Sequence, residues 1–286
     1  MRRALLVGIN YIGTSNALNG CINDIKNVQT FLKNSRNYVE FIKLTDDNKD
    51  AMPTKENILK GIDDLVKDVK NGDELWFHYS GHGTLQRDTN GDEESGYDSA
   101  ICPVDFMKSG FITDDVIRSK FVIPEGVTLY IVLDACHSGT GCDLRYKFED
   151  YSYYKKDGTP EKYDTNEWVL RQVMTQLKNY PKSKGDIFMI SGCKDEQTSA
   201  DTVEEGKAAG ALTYCFLKVI KNNFGNCKWK TFLKDLNCLL QTKGYDQKPI
   251  LTTGKQLDTN QIMFDKDKKK AIDNIFQNIK GETLLM

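Results

Sequence analysis

Six short apolar segments alternate with longer segments of helical periodicity along this chain, and this alternation is the feature that most constrains its fold. The apolar segments are predicted strands, and they span residues 4–9, 39–44, 74–79, 128–133, 187–191 and 248–252. The fourth reads Thr-Leu-Tyr-Ile-Val-Leu, and a strand that is apolar on both faces is typical of a parallel sheet covered by helices on both sides. The sequence therefore predicts an α/β fold with an open, mostly parallel six-stranded sheet.

Helices are predicted between these strands because apolar residues recur three and four positions apart. Ile58, Ile62 and Leu65 form one such face, in a segment that begins after the favoured N-cap residue Thr54 and closes at Gly72. Similar faces span residues 21–33, 212–220 and 229–240. We expect all four helices to pack on the sheet.

The charge balance and the cysteine usage restrict the function classes. Lys and Arg together number 39 and Asp and Glu 41, so no basic field indicates a nucleic acid partner. The eight cysteines are scattered through a chain too long for a small disulfide scaffold, and we expect them to be reduced. The chain has no signal peptide pattern and no apolar run of about 18 residues. A cytoplasmic protein without a membrane partner is therefore expected.

Two reactive residues follow the carboxyl ends of predicted strands. His82 comes three residues after the strand at 74–79, and Cys136 comes three residues after the strand at 128–133. Ligands bind at this edge of open parallel sheets. A histidine that takes the proton of a thiol makes it a strong nucleophile and later protonates the leaving amine. The pair therefore indicates amide hydrolysis by Cys136 with His82 as its acid-base partner.

An isolated cysteine and histidine are more often a core thiol and a turn residue, so the flanking sequences decide the interpretation. Residues 79–83 read Tyr-Ser-Gly-His-Gly and residues 134–139 read Asp-Ala-Cys-His-Ser-Gly, and 54 residues separate His82 from Cys136. Both motifs resemble the paired catalytic motifs of metacaspases, and a separation of about 50 residues is typical of caspase-type peptidases. Residues 18–24 and 190–201 resemble the family's early motif and the start of its small subunit.

This resemblance extends from about Arg3 to Thr253 and implies a caspase-like fold. Many metacaspases carry a Pro-rich or zinc-binding amino-terminal region, whereas this chain starts just before its first predicted strand, so a type I-like core without a prodomain is expected. By the same resemblance, residues 1–144 are the large-subunit-like part and residues 186–286 the small-subunit-like part of one domain. The segment 145–185 between them is rich in basic and turn residues and lacks strand periodicity, so it is interpreted as a linker. Family members tend to be monomeric, and a monomer is expected here.

The metacaspase primary pocket is acidic and binds Arg or Lys of protein and peptide substrates. Carried over by motif, its lining is Cys21, Asp24, Ser80 and Asp134. An aspartate two residues before the thiol would raise the thiol pKa unless a substrate cation offsets its charge, which agrees with a basic substrate. The alternative is that these aspartates only cap or face out from helices. The family fold also implies an oxyanion hole formed by the backbone amides of Gly83 and Cys136.

Four further aspartates, Asp98, Asp114, Asp115 and Asp143, resemble the calcium site of the family. Several carboxylates close together would repel one another without a cation, and Ca²⁺ prefers such oxygen ligands. Acidic residues in loops are otherwise usually only solvated. The resemblance therefore implies Ca²⁺ as the cofactor and activator.

An enzyme that cuts after Arg or Lys can also process itself within the basic linker. The candidate processing sites are Arg145, Lys147, Lys155, Lys156 and Lys162.

Two alternatives to a calcium-activated endopeptidase stay open. A paracaspase-like peptidase would share the fold without needing the aspartate cluster. A catalytically silent scaffold would bind partners through its helices, although an intact His82 and Cys136 argue against it. A structural metal site of Cys136 and Cys142 is weaker still, because no second close pair of ligands accompanies them.

Overall fold

The structure is a computed structural model that describes most of the chain. The described residues are 1–89, 91, 96–135, 144–149, 153–162, 171–172, 183–192, 201–204, 207–223, 227–245 and 247–264. Of the predicted site residues, Cys136 and Asp143 lie outside this set.

The described residues form fifteen strands and six α-helices, with one 3-10 turn at Lys49–Ala51. The strands are β1 Arg2–Gly8, β2 Glu40–Thr45, β3 Glu74–Ser80, β4 Gly83–Arg87, β5 Tyr97–Ile101, β6 Ile112–Thr113, β7 Thr128–Asp134, β8 Tyr146–Glu149, β9 Tyr153–Tyr154, β10 Pro160–Lys162, β11 Arg171–Gln172, β12 Asp186–Ser191, β13 Asp201–Glu204, β14 Lys207–Gly210 and β15 Ile250–Thr253. The helices are α1 Cys21–Arg36, α2 Lys55–Val66, α3 Phe106–Ser109, α4 Asp114–Lys120, α5 Ala211–Asn222 and α6 Trp229–Thr242.

The main sheet contains all six predicted strands and confirms the α/β class. Its order is β11-β8-β15-β12-β7-β3-β1-β2, with parallel pairing from β2 through β12 and antiparallel pairing from β12 to β11. The predicted number of six is wrong for the part of the chain that the structure describes. This sheet has eight strands there, seven of them four residues or longer, because β8 and the two-residue β11 extend it beyond β15.

Strand β8 also corrects the expectation that residues 145–185 lack strands. Phe148 is buried in the core, whereas Lys147 places its ammonium 2.8 Å from the Glu149 carboxylate on the same face. Short strands with charged side chains are common near the edge of a sheet, and their sequences carry little periodicity. The pairing of β8 with β15 is a contact between residues about 100 positions apart, which a local pattern does not report.

Side chains on the two faces of the sheet enter two separate cores, as the apolar strands predict. Along β3, Trp76 packs among the residues of α1, α5 and α6, and Phe77 packs against the core on the side of α2 and α4. The Thr54 hydroxyl accepts the amide of Asn57 and caps α2 as expected, but this helix ends at Val66 and not at Gly72. Its early end agrees with Asp68, which adopts a left-handed conformation with φ of 58°.

No helix within the described ranges is both long and apolar enough to span a bilayer.

Candidate active site

The predicted catalytic residues follow two strands that lie side by side. Strands β3 and β7 pair in parallel, and Ser80 at the end of β3 is in register with Asp134 at the end of β7. The Gly81 amide donates to the Asp134 carbonyl at 3.3 Å, which ties the two strand ends together. His82 and Cys136 each come two residues after this registered pair. Cys136 itself lies outside the described residues, and its distance from His82 stays untested.

The His82 imidazole is half-buried and is oriented by a main-chain oxygen. Its Nε2 lies 2.7 Å from the carbonyl oxygen of Asn16. A carbonyl only accepts hydrogen bonds, so Nε2 is the donor and Nδ1 is the nitrogen available to act as a general base. Sequence reasoning found no third group beside the dyad. The group that contacts the second ring nitrogen is the backbone carbonyl of Asn16. Every residue has a carbonyl, so the sequence does not show which one will do this.

The predicted pocket residues Cys21, Asp24, Ser80 and Asp134 come from three elements and are all buried. Cys21 and Asp24 occupy the first turn of α1, and Ser80 and Asp134 end β3 and β7. The two carboxylates border the same backbone position. A Cβ atom on Gly210 would lie 2.7 Å from Asp24 Oδ2 and closer still to Asp134 Oδ2. The structure therefore brings together two aspartates that are 110 positions apart in the sequence.

The amino-terminal end of α5 stabilises these buried carboxylates. The Gly210 amide donates to both oxygens of Asp24, at 2.9 and 3.0 Å, and the Thr213 amide donates to Asp134 Oδ2 at 2.8 Å. Unpaired amides at a helix start carry partial positive charge, which offsets the desolvation of an anion. Sequence reasoning missed Gly210 and Thr213, because they contribute main-chain amides from the other end of the chain.

A neutral histidine lies beneath the pocket. His78 is fully buried, and its Nε2 contacts Ser80 Oγ and Thr213 Oγ1, each at 3.2 Å. Burial lowers the pKa of His78 from 6.5 to about 3, so the ring is neutral at physiological pH. His78 therefore adds no positive charge beside Ser80 and Thr213.

Gly83 begins β4 directly after His82 and is in register with Ile101 of β5. This places its amide next to the predicted base. The second predicted oxyanion donor, the amide of Cys136, lies outside the described residues. The oxyanion hole therefore stays a prediction.

The predicted calcium ligands are partly brought together. Asp98 lies on β5, while Asp114 and Asp115 open α4, and Asp114 accepts the Ser99 amide at 3.0 Å. Asp98 and Asp114 are both buried, and carboxylate oxygens suit a hard cation. Asp143, the fourth predicted ligand, lies outside the described residues. Within the described part, no three His, Cys, Asp or Glu side chains form a group suited to a metal ion.

The candidate processing residues lie in two different environments. Lys147 is in β8, whose backbone pairs with β15 on one side and β11 on the other. Lys155 and Lys156 are exposed in the turn between β9 and β10, where the Gly158 amide donates to the Lys155 carbonyl at 2.9 Å. Arg145 is exposed just before β8, and Lys162 ends β10.

Comparison with known proteins decides the family. Residues 2–145 match the model of the metacaspase, peptidase C14 domain. The chain is 40% identical to Metacaspase-1 of Scheffersomyces stipitis, over 91% of this chain and 72% of that protein. This chain belongs to the metacaspase family. Metacaspase-1B of Aspergillus fumigatus is 39% identical over 91% of this chain and 71% of its own length.

The metacaspase assignment makes this chain a cysteine peptidase of the caspase-like fold, as the motifs predicted. Among solved structures, protein GSU0716 from Geobacter sulfurreducens has a similar fold, with a TM-score of 0.62 and 26% identity. The match covers 92% of this chain and 98% of that protein.

Proposed function

We propose that this metacaspase is a calcium-activated endopeptidase that cuts protein and peptide substrates after Arg or Lys through a Cys136–His82 dyad. The observation that carries the specificity is the meeting of Asp24 and Asp134 beside Gly210, at the strand edge where His82 lies. Two buried carboxylates at one position favour a cation, because their mutual repulsion is relieved when a guanidinium or ammonium binds between them.

The reaction follows from the groups at this edge. His82 Nδ1 accepts the thiol proton, and the Cys136 sulfur attacks the carbonyl carbon of the bond after Arg or Lys. The amides of Gly83 and Cys136 would bind the resulting oxyanion. When this intermediate collapses, the imidazolium gives its proton to the leaving amine. A water molecule, deprotonated by His82, then hydrolyses the thioester and restores the thiol.

Asp98, Asp114, Asp115 and Asp143 would hold the calcium ion. When bound, the ion would neutralise their charge and fix α4 against β5. The support is the carboxylate chemistry and the contact between Asp114 and the backbone of β5. Calcium binding to the Cys136→Ala protein, measured by calorimetry with and without Asp114→Asn, tests the site independently of activity. Unchanged binding in the Asp114→Asn protein would contradict this ligand set.

Self-processing in the segment 145–185 would accompany this activity and would divide the large-subunit-like part from the small-subunit-like part. We propose that the turn containing Lys155 and Lys156 is cut before Lys147. The exposure of the turn supports this order, as does the pairing of Lys147 on both edges of β8. From the sequence alone, we also propose that the protein is cytoplasmic and monomeric.

The test of the proposed function is hydrolysis of paired fluorogenic peptides that end in Arg or Asp before the reporter. Wild type and Cys136→Ala are assayed in calcium and in chelator. Cleavage of the Arg peptide that needs both calcium and Cys136 is expected. Cleavage of the Asp peptide would overturn the pocket assignment, and calcium-independent Arg cleavage would favour the paracaspase-like alternative. Absence of cleavage of either peptide would favour the scaffold.

A further inference from the structure

Two buried tyrosines, Tyr11 and Tyr79, bracket the main chain of His82. Tyr79 belongs to β3, and Tyr11 lies in the loop that follows β1, so the two side chains reach the histidine from different elements. Both are essentially inaccessible to solvent. Neither was predicted as a site residue, although Tyr79 opens the motif that contains His82.

The hydroxyl groups bind both backbone polar groups of His82, whose carbonyl also accepts the Cys102 amide at 3.1 Å. The Tyr11 hydroxyl accepts the His82 amide at 2.9 Å and donates to the Cys102 carbonyl at 2.6 Å. The Tyr79 hydroxyl donates to the His82 carbonyl at 2.8 Å, and the two hydroxyl oxygens lie 3.1 Å apart. Burial is the main cause that raises the pKa of both phenols, so both remain protonated donors at physiological pH.

This arrangement requires the glycine that precedes the histidine. A Cβ atom on Gly81 would lie 2.6 Å from the Tyr79 hydroxyl oxygen and 3.1 Å from that of Tyr11. Any larger residue would push the two phenols away from His82. The glycine in the Ser-Gly-His-Gly motif is thus explained by the close approach of two hydroxyl groups.

The Tyr11 loop also contacts the imidazole itself. The Tyr11 ring lies 4.6 Å from the His82 ring, measured between centroids. The Tyr11 carbonyl accepts the Thr14 amide, and the Thr14 hydroxyl accepts the Asn16 amide. The Asn16 carbonyl in turn accepts a hydrogen bond from His82 Nε2. One short loop therefore contacts the ring, the backbone and the Nε2 proton of the same histidine.

The backbone of Tyr11 is held in an unfavourable conformation. Its φ is 50°, in the left-handed region that non-glycine residues seldom adopt. The Asp46 carboxylate accepts the amides of Asn10 and Ile12 on either side, at 2.9 Å each, which stabilises this conformation. Residues held in sparsely populated conformations cluster at functional sites.

We propose that Tyr11 and Tyr79 are positioning residues of the catalytic histidine, with hydroxyl groups that fix the backbone of His82 at the end of β3 and so the orientation of its imidazole. They do not touch substrate. The proposal rests on the proposed function, because it assigns a role within the Cys136–His82 reaction. Its consequence is that loss of either hydroxyl misaligns the base and leaves the substrate pocket intact.

The experiment compares Tyr11→Phe and Tyr79→Phe with Tyr38→Phe. Tyr38 is an equally buried tyrosine whose hydroxyl donates to Glu74 at 3.0 Å, at the opposite end of β3. Active sites are titrated with an irreversible arginyl chloromethyl ketone, so kcat refers only to folded, reactive enzyme. The pH dependence of Cys136 alkylation by iodoacetamide is measured in parallel.

We expect kcat per active site to fall by about 10- to 100-fold in each of the two variants while KM stays within about two-fold. The pH profile of Cys136 alkylation should shift in Tyr11→Phe and in Tyr79→Phe. Tyr38→Phe should match wild type in kcat and in the alkylation profile. If one variant does not fold, the other decides.

If Tyr11→Phe and Tyr79→Phe give the same kcat and the same alkylation profile as Tyr38→Phe in an enzyme that is active, this inference is overturned and the proposed function is not. Absence of Cys136-dependent hydrolysis in wild type would overturn the proposed function and this inference with it.

Discussion

The amide of Gly210 donates to both carboxylate oxygens of Asp24, at 2.9 and 3.0 Å. Asp24 lies before the predicted linker 145–185 in the sequence, and Gly210 lies after it. The predicted specificity pocket is therefore completed by main-chain atoms from the far side of the linker. The amides at the start of α5 offset part of the cost of burying its two carboxylates.

The first prediction concerns this pocket. Asp24→Asn and Asp134→Asn should each lower kcat/KM for an Arg peptide by about 10- to 100-fold, because each removes one charge-assisted interaction with the substrate cation. The matched substrate is the citrulline peptide, which has nearly the same shape without the charge, and its weaker hydrolysis should change little. Glu40→Gln, an exposed carboxylate, is the control variant. Equal losses for both peptides would contradict an electrostatic role of the pocket.

The second prediction concerns self-processing. Inactive Cys136→Ala protein, mixed with a trace of active enzyme in calcium, should be cut first in the turn at Lys155 or Lys156. A substrate strand must leave its neighbours to enter an active site, and Lys147 pairs with Thr252 and Arg171 on its two sides. The double substitution Lys155→Gln and Lys156→Gln should delay the first cut, and Lys147→Gln should not. Time-resolved intact-mass spectrometry measures the order, and a first cut after Lys147 would refute it.

The third prediction concerns the acid stability that His78 controls. Its folded-state pKa is about 3 and its unfolded value 6.5, so below pH 6.5 the unfolded chain binds a proton that the folded chain excludes. This contribution to stability is complete above pH 6.5 and is lost as the pH falls, with a slope that approaches about 1.4 kcal/mol per unit. The pKa values of Asp64 and Asp73 are lowered from 3.8, so these two carboxyl groups change the free energy of unfolding mainly below about pH 4 and do not interfere with the His78 range.

His78→Gln is the informative variant, because its amide can still contact Ser80 and Thr213 and does not titrate. Urea unfolding between pH 7 and 4.5 should give a flatter dependence of the free energy of unfolding for the variant. Parallel curves for wild type and variant would show that His78 does not titrate as its burial requires.

The fourth prediction concerns a buried ion pair at the other end of β3. The Arg36 guanidinium lies 2.8 Å from Glu74, and the Tyr38 hydroxyl donates to the same carboxylate. Arg36→Met should lower the free energy of unfolding by about 3 kcal/mol, because it leaves Glu74 buried without its main partner. Adding Glu74→Gln should restore part of the loss. Chemical denaturation measures both, and a double variant no more stable than Arg36→Met would contradict this account.

Local patterns in the sequence were sufficient to predict the fold class, and they assigned the candidate catalytic residues to the ends of two strands. Continuous apolar strands between amphipathic helices determine a parallel sheet, since only such a sheet buries both strand faces. The motifs around His82 and Cys136 follow strands that prove to be neighbours, with Ser80 and Asp134 in register. These conclusions follow from side-chain type and spacing, which a sequence states directly.

Only the tertiary structure decided the contacts that complete the site. The carbonyl of Asn16 orients His82, and the amides of Gly210 and Thr213 donate to the carboxylates of the predicted pocket. Strand β8 joins the main sheet through backbone pairing with β15. Every residue has a carbonyl and nearly every residue an amide, so the identity of a residue does not show which of them will bind a distant partner. That choice is made when the chain folds and brings remote segments within hydrogen-bonding distance.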